Sequence, residues 1–90
     1  MNFLKIDKDV LGNKKMSPTD KLILAVLRDK RDLYKNEMFY CYEDWIANYL
    51  SISRSTVTRS IDRLVELNEI EVYRQYNQDT KKNCNYFKVF

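Results

Sequence analysis

Residues Ser53 to Leu67, Ser-Arg-Ser-Thr-Val-Thr-Arg-Ser-Ile-Asp-Arg-Leu-Val-Glu-Leu, constrain this chain more than any other stretch. Val57, Ile61, Leu64 and Val65 recur at helical spacing and make one apolar face, while Ser55, Thr56, Thr58, Arg59 and Arg63 face elsewhere. Ser53 is suited to cap the helix, because its hydroxyl can accept from an otherwise unpaired N–H of the first turn. The front of the first two turns carries short hydroxyls and guanidinium groups and no large apolar residue. A face of that kind packs nothing, and it suits base edges and phosphates.

What flanks this helix gives it a frame. From Glu43 to Leu50 the spacing is again helical, with Trp45 matched to Tyr49 and Ile46 to Leu50, and with Glu43 and Asp44 at the positive N-terminus. Ser51-Ile52-Ser53 separates the two helices, the spacing of a helix-turn-helix. Asn68 follows where a helix commonly stops in the left-handed region. Ile70 to Tyr76 and Cys84 to Phe90 alternate as half-buried strands, and Asn77 to Asn83 between them is rich in turn formers, with Lys81 and Lys82 near its tip. A helix-turn-helix followed at once by a hairpin is a winged helix. The expected class is therefore α+β, three helices with a small antiparallel sheet, in one domain over residues 1–90. Residues 1–15 are an N-terminal arm or strand, 43–67 the helix-turn-helix and 70–90 the wing.

The remaining segments fit around that frame. Phe3-Leu4-Lys5-Ile6 and Val10-Leu11 suggest a short strand or extended arm. Ser17-Pro18-Thr19-Asp20 starts a helix, with Ser17 as cap and Pro18 where its missing N–H costs nothing, and the apolar run beyond it carries the helix to about Asp29. Arg28 to Glu37 is charged enough to be a loop or a fraying helix end. Met38 to Tyr42 reads as a short edge strand. With 90 residues, 44% of them hydrophobic, there is material for one modest core.

Several chemistries are excluded. The chain has no histidine, and Cys41 and Cys84 lie far apart, so no four-ligand zinc site is expected, nor any other cofactor. No Gly-rich phosphate loop or nucleophile motif appears, which argues against an enzyme and against a small-molecule substrate. The longest apolar run, Leu22 to Leu27, is too short to span a bilayer, and Asp7-Lys8-Asp9 interrupts the N-terminus. We therefore expect no membrane association and a cytoplasmic protein with reduced thiols.

The net charge of +3 is modest, but its placement is informative. Arg54, Arg59 and Arg63 stand against Asp62, and Arg74, Lys81, Lys82 and Lys88 against Glu71 and Asp79. The candidate DNA-binding residues are Arg54, Ser55, Thr56, Thr58 and Arg59 for the major groove and Lys81 and Lys82 for phosphate or the minor groove. Thr56 could equally cap the helix or pack in the turn, and Arg63 could pair with Asp62 or Glu66. Tyr40, Tyr42, Trp45, Tyr49, Tyr73 and Tyr76 could be stacking platforms for single strands, but their spacing fits core and sheet packing better.

Tyr42 to Ile70, with Ile46-Ala47, Leu50, Ile52-Ser53, Thr56-Val57, Arg59, Leu64 and Asn68-Glu69-Ile70, resembles the winged helix-turn-helix of bacterial regulators. Phe3-Leu4-Lys5-Ile6 through Leu11, then Met16-Ser17-Pro18, and the closing Asn85-Tyr86-Phe87-Lys88-Val89 are similar to N-terminal domains of plasmid replication initiators and phage replisome organisers. The resemblance implies a double-stranded DNA partner, with an operator or replication origin as target and salt-sensitive binding. Ser51 stands where such families often have Gly, and Asn68 replaces Gly after the third helix. The alternative is an assembly module on the same scaffold that binds protein and not DNA. A homodimer on paired half-sites is compatible with the resemblance, although no heptad or additional helix marks an interface.

Overall fold

The computed structural model describes residues 6–35 and 38–90, with side chains for all of these except residues 82–84. Phe3, Leu4 and Lys5 of the expected arm, and the side chains of Lys82 and Cys84, lie outside the described residues. The elements are α1 (Lys8–Leu11), α2 (Pro18–Tyr34), β1 (Met38–Cys41), α3 (Glu43–Leu50), α4 (Arg54–Glu66), β2 (Ile70–Asn77) and β3 (Lys82–Val89).

Capping starts α2 where the sequence places it. The Ser17 hydroxyl accepts from the Asp20 N–H at 3.1 Å, and Asp20 Oδ2 accepts in return from the Ser17 N–H at 3.0 Å. That reciprocal box satisfies two donors that a helix end otherwise leaves unpaired. Two expectations need correction. The N-terminal segment is neither strand nor extended arm over Lys8–Leu11: it makes a helical turn whose Leu11 N–H donates to the Asp7 carbonyl at 2.8 Å, so the described residues hold four helices where three were expected. Burial of Val10 and an Arg28–Asp7 ion pair of 2.9 Å hold that turn against the body. The charged run after Asp29 stays helical through Tyr34, ending only at a left-handed Lys35. Long-range partners support it: Arg28 also reaches Glu69 at 3.4 Å, and Arg31 donates to the Phe90 carbonyl at 3.2 Å.

The sheet is antiparallel in the order β1-β3-β2, so β3 is central. Its register puts Phe39, Phe87 and Val72 in one row and Tyr40, Tyr86 and Tyr73 in the next. Successive residues on a strand point to opposite faces, so only one of these rows can meet the helices. The phenylalanine row does: Phe39 and Phe87 lie 5.9 Å apart and join Leu24, Leu27, Ile46, Val57, Ile61 and Leu64 in the core. Of the aromatics expected to serve core and sheet packing, Tyr40 packs on the outer face of the sheet, and none enters the core. No Tyr or Trp is buried among the described residues. The phenol keeps its hydroxyl in water, and the row that carries no hydroxyl takes the core-facing side. On that outer face Tyr40 meets the Tyr86 and Tyr42 rings edge-on, at 5.2 and 5.3 Å.

Cys41 carries a free, buried thiol. Burial pushes its pKa up from 9.0 to about 11, with Lys30 pulling weakly the other way. At pH 8 only about one molecule in a thousand then carries the thiolate that reacts. In a Cys84→Ser variant, a disulfide reagent should leave the native protein unlabelled at pH 8 and label it on unfolding; rapid labelling of the native state would contradict this burial. The linkage runs one way: above pH 9 the unfolded thiol ionises while the folded one does not, so this contribution to stability is lost as pH rises from 9 towards 11. No helix among the described residues is long and apolar enough to cross a membrane.

Candidate nucleic-acid interface

The turn between α3 and α4 is closed by backbone geometry. Ser51 sits in the left-handed region at φ 57° and ψ 44°, which lets the Ile52 N–H donate back to the Ala47 carbonyl at 3.0 Å. A side chain in that region costs about 1 kcal/mol that glycine avoids, offset in part by glycine's freer unfolded chain. Ser51→Gly should therefore stabilise the domain by about 0.5 kcal/mol, read as a higher denaturant midpoint at unchanged slope; a lower midpoint would contradict it. Asn68 sits at φ 58°, where its short amide is better tolerated.

Ser53 caps α4, accepting from the Thr56 N–H at 3.2 Å. Val57, Ile61 and Leu64 on the back of α4 are wholly buried, each stabilising the dock by about 1.5–3 kcal/mol. The front divides. Arg54, Ser55 and Arg59 are exposed. Arg54 Nε lies 3.5 Å from Asp44 Oδ1, the Ser55 hydroxyl 3.2 Å from that of Ser53, and Arg59 Nε donates to the Ser55 carbonyl at 3.4 Å. Thr56 is half-buried with its hydroxyl 2.7 Å from Ser53 Oγ, a place in the cap. Thr58 is half-buried and donates to Glu43 Oε1 of α3 at 2.7 Å.

That acceptor belongs to a network that the sequence reading missed. Glu43, 4% exposed at the start of α3, also accepts from Asn85 Nδ2 at 2.6 Å and lies 3.6 Å from Arg74 Nε. Arg74 in turn donates to Asp62 of α4 at 2.8 Å. One buried carboxylate thus ties α3, α4 and both wing strands together. The available signal was Asn85, a polar residue on the inward row with Phe87 and Val89. Arg63 pairs with neither Asp62 nor Glu66: it meets Asp20, wholly buried at the start of α2, at 3.3 Å.

The wing is tighter than expected, with pairing through Asn77 and Lys82 and a turn of residues 78–81 only. Asn77 Oδ1 organises the turn by accepting from the Asp79 and Thr80 N–H groups at 2.9 and 3.3 Å. Lys81 closes it, exposed and at φ 55°. Lys82 opens β3 beside Asn77. Arg59 and Lys81, unlike Arg54, Arg63 and Arg74, make no ion pair among the described residues.

No family model matches the chain, and no curated protein matches it by sequence. Two solved structures share its architecture. A "possible transcriptional regulator from Methanosarcina mazei Go1" superposes with a TM-score of 0.67 at 20% identity, over 92% of this chain and 64% of that one. An "N-terminal domain of DNA binding protein" superposes with a TM-score of 0.68 at 17% identity, over 99% of this chain and 74% of that one. The fold is a winged helix-turn-helix. In the winged helix, α3 and α4 form the helix-turn-helix and the β2–β3 hairpin forms the wing, while α1 is an addition before the first long helix. The chain spans less than two thirds of the Methanosarcina protein's length.

Proposed function

We propose that this winged helix binds double-stranded DNA in a sequence-dependent way, with α4 in the major groove and the wing against the flanking backbone. One observation carries the reading most: the first two turns of α4 hold Arg54, Ser55 and Arg59 exposed on a helix whose back is fully buried. A helix so anchored can present a fork of donors to a guanine edge with little loss of side-chain order. Lys81, at a turn fixed by Asn77, extends positive charge beyond the helix, and Lys82 adds to it. Thr56 and Thr58 contribute through the cap and the Glu43 network, which set the helix in place. The two neighbours' names point the same way, and the target we propose is an operator or a replication origin.

Anisotropy of a labelled duplex titrated at several salt concentrations tests the reading. Wild type should bind with a strong salt dependence. Lys81→Ala should weaken binding on every sequence alike and flatten the slope of log K against log salt by about 0.9, the loss of one phosphate contact. Absence of binding even at about 50 mM salt would overturn the proposal in favour of an assembly module.

A further inference from the structure

The chain's single tryptophan is not in the core. Trp45 lies on the outer side of α3, stacked on Tyr49 with the rings 5.0 Å apart and 14° from parallel. The two rings are 41% and 47% exposed, and Leu33 of α2 beside them is 70% exposed. Together with Val26 they line a groove of about 490 Å³ between α2 and α3, with Asp29 and Asp32 also in its wall. None of the lining residues belongs to α4 or to the wing. Half-exposed Trp and Tyr are the residue types that anchor interaction hot spots, and the exposed Leu33 beside them extends the apolar patch.

Two features specify what chemistry the groove accepts. Lys30 Nζ sits 3.9 Å over the Trp45 ring and 5.6 Å from the Tyr34 ring, so the indole face already holds a cation in the free protein. The carboxylates add to this: Asp29 makes no ion pair among the described residues, and Asp32 pairs at 3.2 Å with its own neighbour Arg31, remaining 73% exposed. Rings and acids both favour positive charge. The groove between α2 and α3, in turn, offers a furrow into which a third helix can lay an apolar ridge.

We propose that this groove docks a helical segment of a partner protein whose apolar stripe is flanked by Lys or Arg. Its apolar side chains cover Leu33, Trp45 and Tyr49, a cationic side chain replaces Lys30 over the indole, and a second meets Asp29 and Asp32. Because the groove lies off α4 and the wing, docking is compatible with bound DNA and does not depend on DNA binding.

Trp45 reports on its own site, since no other tryptophan contributes fluorescence. The probe is an amidated amphipathic helical peptide of leucines at i, i+3, i+4 and i+7 with arginines flanking the stripe, titrated into the 90-residue chain without DNA. A second peptide replaces each arginine by glutamate. The arginine peptide should shift Trp45 emission saturably and bind at least about tenfold tighter than the glutamate peptide. Asp29→Asn/Asp32→Asn should cut that ratio to below about threefold, and Lys30→Met should tighten the arginine peptide by vacating the ring face. Equal binding of the two peptides, no binding, or binding seen by a labelled peptide without change at Trp45 would overturn the proposal. So would a concentration-dependent shift of Trp45 without peptide, which would assign the groove to a second copy of the chain. Duplex titration of the same samples keeps a failure here separate from a failure of the DNA reading.

Discussion

Glu43→Ala should destabilise this domain by about 3 kcal/mol, although the residue touches no solvent-facing function. Removing the carboxylate strands the Asn85 amide, wholly buried on the central strand, without the acceptor it now has at 2.6 Å. A buried donor left unpaired costs about 1–3 kcal/mol, and loss of charge-assisted bonds costs a similar amount. Loss of an acid at the start of α3 adds about 0.5 kcal/mol through the helix dipole. Relief from desolvating a carboxylate works the other way, which keeps the sum near 3. A 90-residue domain has only about 5–13 kcal/mol in total. The midpoint of thermal unfolding should therefore fall by about 10–20 °C. Glu43→Gln keeps the shape and one acceptor and should cost about half as much. Combining Glu43→Ala with Asn85→Ala should cost clearly less than the two singles summed, since each removes the same bond. A loss under about 0.5 kcal/mol for Glu43→Ala would contradict the network.

What the sequence made legible was local. Caps at Ser17 and Ser53, the i,i+4 pairs of α3 and the period-two strands each act within one turn or one strand, and α3 spans the expected Glu43–Leu50. The left-handed Asn68 was likewise readable from its place after an apolar helix. Contacts between distant segments were not. Glu43 finds Thr58 and Asn85, 15 and 42 positions away, and Arg63 finds Asp20, 43 away. Alternation told which strand residues share a face but not which face meets the helices, so core and outer-face sheet packing of the tyrosines could not be told apart. The last turns of α2 read as a loop or a fraying helix end because their support comes from Asp7, Glu69 and Phe90. On the candidate site, Arg54, Ser55 and Arg59 are exposed, while the Thr56 hydroxyl is engaged in the Ser53 cap and that of Thr58 by Glu43.

The second large effect belongs to the arginines. Arg54→Ala/Arg59→Ala should weaken binding to a preferred site by about 100-fold or more, since each bidentate base contact is worth about 1–3 kcal/mol. Binding to unrelated duplexes should fall far less, because only charge is lost there. Arg59 should dominate: it makes no ion pair among the described residues, whereas Arg54 must give up Asp44. Thermal stability should change little, as both side chains are exposed and surface ion pairs contribute about 0–1 kcal/mol. A parallel loss on all sequences would make these residues phosphate contacts and no more.

The most direct test of α4 in the major groove is methylation interference on duplexes selected from a random pool. Dimethyl sulfate marks guanine N7 in the major groove and adenine N3 in the minor groove, so one reagent separates the two faces. N7 methylation at a few guanines should block wild-type binding, and Arg59→Ala should lose sensitivity at one of them. Binding that tolerates every major-groove methyl group, or that is blocked only through adenine N3, would contradict α4 in the major groove.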